Sequence, residues 1–356
     1  MKGLDQESIT WLPEGCTGIE GVRVGHAADP EALTGCTVIV CPDRGPYGVH
    51  ASGGAISTRQ VSALVRGHAV RWCDAVLVCG GSAYGLDAAG GVLRWLEERG
   101  RGTPVGTMRV PSVPSAALFD LFVGDSQVRP DARMGRAACE CATADRVPEG
   151  RVGAGIGATV GKALGMDRAC WGGVGLASLR LPSGAVVAAV AVVNAFGNVH
   201  DPETGRCIAG ARREDGTFED AESAILRGLL FDRIHAMQNT TIGVVVSDAA
   251  LSADGCGRAA VIGAQAIPRC IRPAETLLDG DIVFVVSCGD RLPSEPQMVG
   301  IAGRIALERA IVRAVTAGDR AGEQFPRQIQ GQTPLLEQEA AGRGSTFRRR
   351  KTDAAR

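Results

Sequence analysis

A chain of 356 residues is long enough to bury a substantial core, as one large domain or two ordinary ones. Its 38 Lys and Arg balance 39 Asp and Glu to a net charge of −1, which argues against a role in holding nucleic-acid backbones. Apolar residues make up 45%, yet the longest strongly apolar run, 185–193, is far too short for a bilayer span, which argues against a membrane partner.

The start, MKGLDQESITWLPEG, lacks a signal-peptide pattern, so a cytoplasmic location is expected. The 12 cysteines form no CxxC pair and show no zinc spacing, and in a reducing compartment they read as small core residues. No metal and no cofactor are expected. Gly is abundant at 49 residues and aromatics are scarce at 4%, which suggests tight turns and closely approaching strands of Ala and Val.

Along the chain, CTVIVC (36–41) and AVLVC (75–79) read as buried strands bounded by Gly, Pro or Asp. GLDAAGGVLRWLEERG (85–100) has helical spacing and ends at Gly100. AVVAAVAVV (185–193), IGVVV (242–246) and IVFVV (282–286) are apolar at every position, as strands covered on both faces are. The segment 210–223 is polar and reads as an exposed connection, and 296–315 is the clearest late helix. Strands and helices mix without regular alternation, so a layered α+β architecture is expected. One domain spans 1–322, followed by a disordered basic tail over 323–356.

The stretch MQNTTIGVVVSDAALS (237–252) sets two hydroxyls, Thr240 and Thr241, at the mouth of a buried strand. Asn-Thr-Thr matches a glycosylation sequon, which has no use without secretion. A turn explains the pair, although no helix follows for the threonines to cap. A second explanation is a chain break after Asn239. An N-terminal threonine unites a nucleophile with a base, because its own α-amine accepts the hydroxyl proton. A nearby cation would keep that amine, of reference pKa about 7.7–8.0, in its free-base form.

Only three lysines occur, Lys2, Lys162 and Lys351, and Lys162 alone lies inside the fold. It follows GAGIGATVG (153–161), where small residues permit crowding. That run imitates nucleotide loops but fails them, having Ala158 at the third glycine of GxGxxG and Ala163 after the lysine of a Walker loop. In LDGDIVF (278–284), Asp279 and Asp281 are two apart at a strand entry and so share a face. There they would hold the amine and balance Lys162, or else form an ordinary Asp-Gly turn. Asn194 ends an apolar strand, where its amide would donate to an oxyanion or simply form a turn.

Taken in order, GVRVGHAAD, GGSAYGLDAAGGV, GAGIGATVGK, VVNAFGNVHDPETG, NTTIGVVVSDAALS and DGDIVF resemble the self-processing L-aminopeptidase/D-esterase family, which includes nylon-oligomer (6-aminohexanoate oligomer) endohydrolases. The resemblance spans roughly 15–318. It implies a four-layer αββα sandwich of the N-terminal-nucleophile type, cleaved into chains 1–239 and 240–356 that stay associated. It places the scissile bond at Asn239–Thr240 and makes Thr240 the nucleophile, supported by Lys162, Asn194, Asp279 and Asp281. A homotetramer and a small peptide or linear oligoamide substrate are also implied. Some members carry a tyrosine near the oxyanion where SAALFDL (115–121) has Phe119, which leaves Tyr84 as a further candidate contact. Three alternatives stay open: an exo-acting aminopeptidase, an acyltransferase of the ornithine acetyltransferase kind, and a non-catalytic scaffold.

Overall fold

The computed structural model describes residues 9–61, 68–228, 239–291 and 295–318. Seven strands carry most of it: β1 (Arg23–Asp29), β2 (Thr34–Ala51), β3 (Trp72–Cys79), β4 (Gly173–Arg180), β5 (Val186–Asn194), β6 (Thr240–Ala249) and β7 (Ile282–Arg291). Four helices cover them: α1 (Ala88–Glu97), α2 (Ala132–Glu140), α3 (Ala253–Ala264) and α4 (Pro296–Thr316).

Strand β2 ties two sheets together. Its first half pairs with β1 and β3, while its second half, past an irregularity between Val40 and Gly45, pairs antiparallel with β7. From β7 the other sheet runs through β6, β5 and β4. Only the β6–β7 pair within that run is parallel.

The period-two pleat then sorts the side chains. Ile242, Val244, Ile282 and Phe284 join Ile39, Val76 and Val78 in a cluster between the sheets. Their neighbours Val245, Val283 and Val285 pack under α3 and α4. On the opposite outer face, Val38, Ala75 and Leu77 pack under α1 and α2. This is the expected αββα sandwich, and it explains why the central strands β5, β6 and β7 carry little polar alternation: they have a covered layer on both sides.

The helix read over 85–100 occupies Ala88–Glu97. The connection over 210–223 is exposed over 213–217, but Glu219 is buried and paired with Arg213 and Arg227. The chain divides into two units, Met1–Phe325 and Pro326–Arg356. The tail expected over 323–356 lies outside the described residues.

Candidate active site

Thr240 is the first residue of β6 and stands opposite Asn194, the last of β5, in antiparallel register. It is buried, as are Asn194, Asn239, Lys162, Asp279 and Asp281. The fold thus brings all six sequence-predicted polar residues to one end of the central strands.

The Asn239–Thr240 peptide is held from three sides. Asn239 makes a parallel bridge with Asp279, and its N–H donates to the Leu278 carbonyl at 3.0 Å. Its own carbonyl oxygen accepts the Gly280 N–H at 2.6 Å. The same oxygen accepts the Thr240 hydroxyl at 2.5 Å. The Thr240 hydroxyl thus lies against the preceding carbonyl group, whose oxygen already carries a backbone donor.

Lys162 reaches this point because of its loop. Gly161 adopts φ +71°, and any Cβ there would run into the Gly210–Ala211 backbone. The N–H of Lys162 is then fixed on the Phe196 carbonyl at 2.9 Å. Its ammonium donates to the Asn194 carbonyl at 3.0 Å, to Asn194 Oδ1 at 3.0 Å and to Asn239 Oδ1 at 2.9 Å. Three donors meet three uncharged acceptors, so burial lowers the pKa to about 7, opposed only by the charge of Asp279.

Both aspartates hold backbone. Asp281 accepts the Thr241 N–H at 2.6 Å and the Glu275 N–H at 2.9 Å. Asp279 accepts the Thr276 hydroxyl at 2.5 Å and its N–H at 3.0 Å. They lie just before β7, and the amide they take on β6 is that of Thr241, one residue beyond the position expected. Burial and the charge of Asp279 push Asp281 up to about 7, and burial raises Asp279 too.

Asn194 differs from expectation in its partners. Its Nδ2 donates to the Phe119 carbonyl at 3.0 Å, while Oδ1 also takes the Thr159 N–H at 3.0 Å. Its amide therefore positions Lys162, and the backbone donor on the Asn239 carbonyl is Gly280. No side-chain pattern announces a backbone N–H, which is why sequence reading passed over Gly280.

A small pocket abuts Lys162 and Asn239, walled by Phe119, Phe122, Val123 and Met166. With Asn239 in place its free space is about 10 Å³, room for one water at most. Tyr84 is not among its walls: it is exposed, with the Arg129 guanidinium 3.9 Å from its ring centroid. A larger cavity of about 440 Å³ lies beside Trp171, Arg151 and the end of α4, and contains none of the clustered residues. Among the described residues, no helix is long and apolar enough to cross a membrane.

Comparison with known proteins follows the same outline. The model of peptidase family S58 matches residues 14–324. An uncharacterized aminopeptidase of Mycobacterium tuberculosis is 43% identical over 85% of this chain and 88% of its own. A 6-aminohexanoate-oligomer endohydrolase of Kocuria sp. is 32% identical over 83% of this chain and 81% of its own. Among solved structures, a Burkholderia sp. beta-aminopeptidase superposes with TM-score 0.62 at 20% identity, covering 87% of this chain and 88% of that one. The L-aminopeptidase D-Ala-esterase/amidase of Ochrobactrum anthropi, a variant of the Ntn-hydrolase fold, gives 0.60 at 18%, covering 90% and 92%.

Proposed function

The chain belongs to peptidase family S58 and is a hydrolase of amide bonds, and on that premise we propose that it cleaves itself between Asn239 and Thr240 and then acts as an N-terminal-threonine amidohydrolase on peptides or linear oligoamides. The observation that carries this reading is the Thr240 hydroxyl on the Asn239 carbonyl, whose oxygen also holds the Gly280 N–H.

In the first step Thr240 Oγ attacks the Asn239 carbonyl carbon. The Gly280 N–H stabilises the oxyanion, the hydroxyl proton passes to the Thr240 nitrogen as the C–N bond breaks, and an ester on Oγ results. Water then opens the ester, leaving a carboxylate on Asn239 and a free amine and hydroxyl on Thr240. In turnover that amine is the base, Oγ attacks the substrate amide, the amine product leaves with a proton, and water then opens the acyl ester left on Oγ, releasing the acid product and restoring the free hydroxyl and amine. Lys162 supplies positive charge that favours both the oxyanion and the free-base amine. Asn194 holds Lys162 in place, and Asp279 and Asp281 fix the loop and the strand end around the reacting peptide. The cytoplasm and a homotetramer remain the expected setting.

Intact mass under denaturing conditions tests the proposal directly. Scaling 36.8 kDa by 239 of 356 residues gives chains of about 25 and 12 kDa, the smaller beginning Thr-Thr-Ile-Gly. A single 36.8 kDa chain in active protein would remove Thr240 from the mechanism.

Gly280 offers an independent check. A Cβ at this position would lie 2.9 Å from Thr240 Oγ and 2.8 Å from the Ala55 carbonyl oxygen. Gly280→Ala is therefore expected to push the donor off the scissile carbonyl and slow self-cleavage by on the order of 10²-fold. Time-resolved intact mass reads the rate, and cleavage at the wild-type rate would discharge Gly280 from the step.

A further inference from the structure

Asn239 borders a pocket and is held at its side-chain oxygen, its N–H and its carbonyl. The side-chain oxygen takes the Lys162 ammonium at 2.9 Å, the N–H donates to Leu278 at 3.0 Å, and the carbonyl accepts from Gly280 at 2.6 Å. The remaining space of about 10 Å³ beside it is walled by Phe119, Phe122, Val123 and Met166 together with Asp120 and Thr159.

The chemistry of the reaction connects this pocket to turnover. Self-cleavage converts the scissile amide into an ester of Thr240 Oγ beside a free α-amine. Attack of the same Oγ on a substrate amide produces the same species, and only the acyl group differs. The space that holds residue 239 is therefore the space that holds the acyl half of a substrate.

From this juxtaposition we infer that the acyl pocket of the processed enzyme selects an N-substituted residue with a short side chain ending in a carbonyl oxygen, asparaginyl above all. The inference rests on the reading of Thr240 as nucleophile. Its physical basis is the count of donors at Lys162. Three donors have three acceptors in the uncleaved chain, and departure of Asn239 strips one acceptor from a wholly buried ammonium. A substrate that returns a carbonyl oxygen restores the bond, whereas a leucyl side chain leaves the donor unpaired and brings added bulk into a tight space. The bond from the residue's N–H to Leu278, together with the parallel bridge to Asp279, suits an acyl residue that continues into a chain. That geometry favours action within a peptide over removal of its first residue.

Two experiments test the inference. Processed enzyme is offered 7-amino-4-methylcoumarin amides of N-acetyl-Asn, N-acetyl-Ala and N-acetyl-Leu. The kcat/KM for the asparaginyl amide is expected to exceed that for the leucyl amide by at least about tenfold. Equal rates, or a preference for leucine, would overturn the inference while leaving Thr240 in its role. The second experiment needs no added substrate, because residue 239 is itself the acyl group. Asn239→Leu and Asn239→Ala chains are followed by intact mass, with circular dichroism to verify folding. Both are expected to cleave at least about tenfold more slowly than wild type. The alanine variant removes the acceptor without adding bulk, and its cleavage at the wild-type rate would sink the proposal even if no coumarin amide is turned over. Failure of the wild-type chain to cleave at all would instead strike the reading of Thr240.

Discussion

Thr240→Ala is expected to give a folded, single 36.8 kDa chain whose amidase activity is down by on the order of 10⁶-fold. The substitution removes the hydroxyl proposed to attack Asn239, and with it the release of the α-amine proposed as base in turnover. Two functions are lost through one oxygen atom. The fold has little stake in that atom. The Asn239 carbonyl keeps the Gly280 N–H, and β6 keeps its register against β5 and β7. The stability change should therefore be within about 1 kcal/mol, the usual net worth of a single hydrogen bond. Thr240→Ser retains the hydroxyl and is expected to cleave and to turn over substrate. Intact mass and calorimetry on the three proteins separate a chemical role from a structural one. Full activity in an uncleaved alanine variant would leave Thr240 as a strand residue and nothing more.

Five of the seven strands were legible in the sequence because burial on both faces leaves their central stretches apolar, whereas β1 (RVGHAAD) and β4 (GVGLASLR) carry no such run. The helix α3 was not legible either, and Gly48 shows why. A Cβ on Gly48 would collide with the backbone of Cys256 and Gly257, so this helix lies directly on β2. The close approach rests on the strand's glycine, whereas in a linear reading the helix itself, ADGCGRAAVIGA with three glycines, looks like poor helix. At the site, the rare residue types were the informative ones. A single interior lysine and two aspartates around a glycine pointed to one place. Partners were harder to foresee, because they are mostly backbone. Asp281 bonds to the Thr241 and Glu275 amides, Asn194 to the Phe119 carbonyl, and Asn239 to Gly280 and Leu278. Such groups carry no residue-type signal. Only the path of the loop before β7 puts them in reach, and that path depends on the completed sheets.

Lys162→Met is expected to slow self-cleavage by about 10²–10⁴-fold, the range for loss of a positioned electrostatic group. Methionine approximates the length of the side chain and fills its channel, so the pocket does not collapse. It leaves Asn194 Oδ1, the Asn194 carbonyl and Asn239 Oδ1 without the ammonium, and Asp279 without the charge that draws its pKa down. Lys162→Arg should not rescue, since a planar guanidinium cannot direct donors to three oxygens grouped around a compact ammonium. The pH profile distinguishes charge from packing. Burial holds the Lys162 pKa down at about 7, so the ammonium is present below that pH and is lost as the pH rises through it. Cleavage in the wild-type chain should accordingly fall off above about pH 7, and the slow cleavage of the methionine variant should lack that limb. The same depression has a consequence for stability. Between about 7 and the ordinary lysine range the unfolded chain binds a proton that the folded chain does not, so this group favours folding increasingly as the pH rises. Slower cleavage above neutrality would thus run opposite in sign to the lysine's own contribution to stability. A wild-type profile that is flat across this range, or one shared unchanged by the methionine variant, would show that the charge on Lys162 plays no part in the step.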